Sequence, residues 1–168
     1  MSRRTSKWLI VAVLFQGAVL GGMWVKSALP LWTGTEVSIV TRPVDPRSLF
    51  RGNYVRLSYG INDIENQQAL NTHQLRQGEV VYQVLIKGDG GIYQKGPQVL
   101  NKPEEGIFIK GRLDKSRSKH QIKYGIDAFF APKEKTLALE KQLRSGAVAV
   151  LKVTDSGQAG ILRVEEKP

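Results

Sequence analysis

Residues 8–25 contain no charged side chain, and Gln16 is the one strongly polar interruption. Eighteen such residues in a helix rise about 1.5 Å each and span roughly 27 Å, close to the thickness of a bilayer's hydrocarbon core. Trp8 and Trp24 sit near the two ends, where indoles favour the interface, and Lys7 and Lys26 bracket the run. Arg3, Arg4 and Lys7 on one side against Lys26 on the other favour an N-terminus in the cytoplasm and the bulk of the chain outside it. A cleavable signal peptide fits less well, because in Lys26-Ser27-Ala28, the site that would precede cleavage, a lysine stands where a small residue belongs. The expected organisation is a basic tail at 1–7, a retained transmembrane signal-anchor at 8–25, a linker at 26–34 containing Pro30 and Gly34, and an outer domain at 35–168. Gly17 and Gly21 have the spacing of a small-residue helix-packing face, although glycines are common in such helices whether or not they pack.

Cysteine is absent, which excludes disulfides, thiolate catalysis and cysteine-ligated metal. The two histidines, His73 and His120, lie far apart among polar residues and read as surface side chains, so no metal or other cofactor is expected. Four of the 25 basic residues fall within 1–30, where there is no acid; the remainder carries 21 basic against 15 acidic residues, a net of +6. That excess suits an anionic membrane surface or an acidic partner, or simply a soluble surface. Nucleic acid is not expected for a domain held outside the cytoplasm.

Seventeen glycines and seven prolines favour short strands and turns over long helices. Alternating patterns predict strands at 36–41, 53–59, 79–87, 106–113, 121–130, 147–153 and 160–164, with a short return strand at 92–94 after the GDGG turn at 88–91. Pro43 and Pro46 make a tight corner, 61–77 reads as a loop with at most one helical turn, and 114–119 reads as a charged turn. Gly125 suggests a bulge or close packing within its strand. Pro132 opens a helix at 133–144 that stops at Gly146. The expected fold is mainly β with one short helix, a curled sheet or partly open barrel, preceded by one transmembrane helix.

The segment GNYVRLSY at 52–59, preceded by PVDP at 43–46 and LFR at 49–51, resembles the signature of the GDYXXLXY family of bacterial proteins. FIKGR at 108–112, YGIDAFF at 124–130 and the stretch from Glu134 to Glu140 resemble it further. The resemblance implies a membrane-anchored bacterial domain of unassigned activity that often accompanies, or is fused to, a multi-spanning membrane protein. Where the family has an acid after the glycine, this chain has Asn53. An amide replaces a carboxylate that caps a turn, but not one that ionises, accepts a proton or holds a metal. Asn53 therefore favours a structural role. A fainter likeness, to the start of membrane-bound signal peptidases, lacks their serine before the proline; Ser48 follows Pro46, and neither Lys110 nor Lys123 is singled out as its base.

The motif residues considered as a binding surface are Asp45, Arg47, Arg51, Gly52, Asn53, Tyr54, Leu57, Tyr59, Arg112, Tyr124 and Glu134. Arg47, Arg51, Arg56 and Arg112 would suit an acidic peptide or lipid headgroup, or would simply flank the strands. Asp45, Asp127, Glu134 and Glu140 offer an acid–base pair, or turn capping, a strand-edge charge and a favourable helix-terminus charge. Tyr54, Tyr59 and Tyr124 read as edges of the core. The expected function is a non-enzymatic, inner-membrane-anchored envelope domain that binds or assists a multi-spanning membrane protein. The alternatives are a divergent peptidase-like hydrolase and a binder of anionic lipid or polymer.

Overall fold

The computed structural model describes residues 3–42, 54–64, 75–116, 119–130 and 146–166, with the backbone alone at 3–6, 54–56, 116, 119, 130 and 166. The proline corner at 43–46 and the helix expected at 133–144 lie outside the described residues.

A single helix, α1 (Arg3–Thr33), opens the chain, and its Lys7–Thr33 portion is long and apolar enough to cross a membrane. The linker expected at 26–34 is therefore helical up to Thr33. Pro30 sits in the last turn, where its missing N–H removes the bond that an amide there would make to the Lys26 carbonyl four residues back. The Ser27 hydroxyl donates to the Trp24 carbonyl (3.0 Å), the Thr33 hydroxyl donates to that of Leu29 (3.0 Å), and Gly34 N–H donates to the Pro30 carbonyl (2.9 Å). These bonds carry the helix through residues that read as punctuation. Pro30 is buried, and Leu31 packs over Gly160, so the end of α1 is seated on the sheet.

The described strands are β1 (Thr35–Arg42), β2 (Tyr54–Arg56), β3 (Ser58–Tyr59), β4 (Val80–Lys87), β5 (Ile92–Val99), β6 (Ile107–Ser116), β7 (Lys119–Lys123), β8 (Ala128–Phe130), β9 (Ala147–Val153) and β10 (Ala159–Glu166). Seven strands lie in the order β10-β9-β1-β5-β4-β6-β7, with β3 added to the end of β1, and β2 pairs with β8 in a separate ribbon. Neighbours are antiparallel except β1 and β5. The sheet is curled into a half-barrel, and its closure is visible where the turn after β9 meets β6: Lys110 N–H donates to the Gly157 carbonyl at 2.8 Å. The core fills the curl with Val37, Ile39, Leu57, Tyr59, Ile61, Val81, Leu85, Ile109, Ile122, Tyr124, Ile126, Ala149 and Leu151. The mainly β fold with one membrane-length N-terminal helix is thus as expected.

Several boundaries differ, each for a local reason. The return expected at 92–94 extends to Val99 despite Gly96 and Pro97. The ladder shifts register there, between Gln83 and Leu85 on β4, and the buried Gln83 amide donates to the Val84 and Gly96 carbonyls, both at 2.8 Å. A side chain supplies donors at the irregularity that Pro97 occupies. The charged turn expected at 114–119 is mostly strand: Asp114, Lys115 and Ser116 pair with Gln121, His120 and Lys119. The strand expected at 121–130 is cut in two. Gly125 has φ +76, a left-handed conformation that turns the chain out of the ladder and does more than bulge it. The strand expected at 53–59 is likewise interrupted at Leu57, and a 3₁₀ turn at Gly60–Asn62 follows it.

Candidate functional site

The signature stretch and the YGIDAFF stretch meet. β2 pairs with β8 through Tyr54 with Phe130, Val55 with Phe129 and Arg56 with Ala128. Leu57 N–H continues the contact by donating to the Asp127 carbonyl at 2.9 Å. Beyond it the tyrosines are exchanged. The Tyr59 hydroxyl donates to the Ile126 carbonyl, and the Tyr124 hydroxyl donates to the Ile61 carbonyl, each at 2.9 Å. Each ring thus satisfies a backbone acceptor two residues past the other tyrosine, in a core where an unpaired carbonyl would be costly. Tyr59 is 0% and Leu57 3% exposed, so both belong to the core and offer no surface to a ligand. Burial pushes both phenols well above the ordinary tyrosine range, and the nearby Asp127 carboxylate adds to the effect. Neither hydroxyl is placed to donate a proton to a substrate at neutral pH.

The remaining site residues divide clearly. Arg112 is exposed on β6 and donates to the Gly78 carbonyl at 3.0 Å. Asp127 immediately precedes β8, where its carboxylate accepts from the Asn62 amide at 3.5 Å. Of Tyr54 and Arg56 the backbone pairing is described. Asp45, Arg47, Ser48, Arg51, Gly52, Asn53, Glu134 and Glu140 lie outside the described residues. Among the described residues no three His, Asp or Glu side chains converge as metal ligands.

A sequence model of the GDYXXLXY protein family matches residues 16–164. The chain belongs to this family. No curated protein and no solved structure matches it. The clasp gives the family's final Leu-x-Tyr a physical meaning in this member. Leu57 and Tyr59, two residues apart on an extended chain, point to the same side and into the curl. Residue 58 between them is only half-buried.

The sequence gives little notice of a second feature of this GDYXXLXY protein. A groove of about 690 Å³ runs between the end of α1 and the sheet, lined by Met23, Lys26, Ser27 and Pro30 on the helix and by Lys110, Arg112 and Lys123 on β6 and β7. Gly111, Tyr124, Gly125, Gln158 and Ala159 complete the lining, and no acid belongs to it. The Lys123 ammonium is paired with Asp114, which also accepts from the Gln77 amide at 3.0 Å. Those two bonds, that of Lys123 first, hold the Asp114 carboxyl below its usual value. The one cue available in sequence is the i, i+2 spacing of Lys110 and Arg112, which puts them on one strand face. The parts played by Lys26 and Lys123 come from the folded arrangement.

Proposed function

We propose that the protein is a single-pass, membrane-anchored domain of the bacterial envelope that binds or assists another membrane protein without catalysing a reaction. Its N-terminus lies in the cytoplasm, as the cluster of Arg3, Arg4 and Lys7 favours, and its β domain lies outside. The observation that carries the reading is the way α1 is used. Residues 7–27 are exposed throughout, an apolar surface far too large to leave in water, yet the end of the helix is seated on β9 and β10. A helix used in this way presents the β domain to the membrane in one orientation. Gly17 and Gly21 have no other group within 4 Å of where a Cβ would lie, which leaves room for a second helix to approach. The signature residues that are described support the non-catalytic part, since Leu57 and Tyr59 are consumed by the core. Asn53, an amide in place of an acid, points the same way.

The test is recovery of partners from solubilised membranes after crosslinking the full chain. A discrete membrane protein should co-purify. Gly17→Ile with Gly21→Ile should lower its recovery about tenfold, because branched side chains would hold a second helix away from the glycine face. A strictly monomeric chain with no companion would refute the reading.

A further inference from the structure

We propose that the groove between α1 and the sheet holds the phosphate-bearing headgroup of an anionic phospholipid. The assignment rests on α1 lying in the bilayer. Lys26 is the first charge after the apolar run, so it marks the level at which hydrocarbon gives way to headgroups. The groove's helical wall runs from Met23 to Pro30, about 10 Å along the axis at 1.5 Å per residue, and straddles that level. Because α1 stays helical to Thr33, the sheet's cationic face is brought to the headgroup layer itself.

The charges are arranged for an anion. Lys26, Lys110, Arg112 and Lys123 all line the groove with no acidic residue among them. Arg112 and Lys123 are direct cross-strand partners, and like charges so placed repel. Asp114 relieves Lys123 from beside the groove. Among the described residues Lys26 and Lys110 have no such carboxylate. A phosphate seated between the helix and β6 would face both, with Met23 and Pro30 offering apolar contact to the lipid below. An acidic protein segment would meet the same charges, but the groove's position at the bilayer surface favours lipid, which is present there at high local concentration.

The full chain, purified in detergent, is titrated separately with phosphatidylglycerol and phosphatidylcholine, with and without millimolar inorganic phosphate, and bound lipid is counted by native mass spectrometry. Phosphatidylglycerol should be retained about tenfold better than phosphatidylcholine, and inorganic phosphate should not displace it. Lys26→Gln and Lys110→Gln should each lower the preference about fivefold, the loss expected per basic residue at an anionic surface. Lys110→Arg should keep the preference, and Lys87→Gln, outside the groove, should leave it unchanged. Equal retention of the two lipids overturns the assignment, as does a wild-type preference in both glutamine variants. Displacement by inorganic phosphate would make this a free-phosphate site instead. Crosslinking of Lys110 to an acidic protein without lipid selectivity would make it a protein interface. Alkaline extraction of membranes separates the premise: release of the chain overturns anchoring and this assignment together, whereas a retained chain without lipid preference overturns the groove alone.

Discussion

Tyr59→Ala should destabilise the β domain by about 3–5 kcal/mol, the cost of truncating a fully buried aromatic whose surroundings relax only partly. Domains of this size are stable by about 5–15 kcal/mol, so the variant should unfold at markedly lower denaturant or fail to accumulate. Tyr59→Phe separates ring from hydroxyl. It keeps the packing and leaves the buried Ile126 carbonyl without its donor, which costs about 1–3 kcal/mol. Tyr124→Phe does the same to Ile61. Urea unfolding of the full chain in detergent, followed by tryptophan-independent circular dichroism, measures all three. An alanine variant as stable as the parent would mean that the clasp is not part of the folded core.

The same tyrosines should set an alkaline limit. In the unfolded chain each phenol ionises near pH 10, whereas burial keeps each neutral to higher pH in the fold. The folded state therefore binds more protons above pH 10. Its stability contribution from these groups is fully present below that pH and is lost as pH rises, by about 1.4 kcal/mol per pH unit for each tyrosine. Replacing both with phenylalanine should flatten the alkaline slope by about 3 kcal/mol per pH unit, although it lowers stability at neutral pH. A slope unchanged by the double replacement would contradict the buried, neutral state of the two hydroxyls.

The apolar run was legible because eighteen uncharged residues leave few alternatives, and the strands at β1, β4 and β9 were legible because their β-branched residues agree with the fold they join. The end of α1 was hidden because Ser27 and Pro30 are turn formers in isolation. Their helical state goes with the packing of the helix end against β9 and β10, which are remote in sequence. β5 was hidden in the same way, since Gly96 and Pro97 read as a stop unless Gln83 is known to bridge the irregularity. Gly125 showed that something happens within 121–130, but its sign of φ decides between a bulge and a break, and composition does not carry that sign. The motif residues Leu57, Tyr59 and Tyr124 were found as a group, while their reciprocal bonding required the two segments to be brought together. The groove was the least legible feature, because Lys26 belongs by pattern to the anchor and Lys110 and Lys123 to two separate strands.

Gly34→Ala tests the joint on which both functional readings depend. A Cβ at residue 34 would lie 2.5 Å from the Pro30 carbonyl oxygen, 2.7 Å from Val153 N and 2.9 Å from Lys152 C. All three are backbone atoms, so no side chain can rotate aside, and for the methyl group to fit residue 34 must pull away both from the Pro30 carbonyl of the last helical turn and from β9. The cost should reach or exceed the upper end of the about 1–3 kcal/mol usual for overpacking. The damage should be local, because the tyrosine clasp lies in other strands. Amide exchange of the full chain in detergent should show lost protection at residues 31–34 and 151–153, with the Leu57 N–H, bonded to the Asp127 carbonyl, still protected. Gly17→Ala provides the contrast: the added methyl meets nothing within 4 Å, and alanine favours a helix over glycine, so protection should hold or rise. Loosening the joint also moves the Lys26 wall away from Lys110 and Lys123, so the lipid preference of the groove should fall together with protection at 151–153. Unchanged exchange at those residues in Gly34→Ala would mean that the helix is not seated on the sheet, and the domain would then hang from its anchor without a fixed orientation.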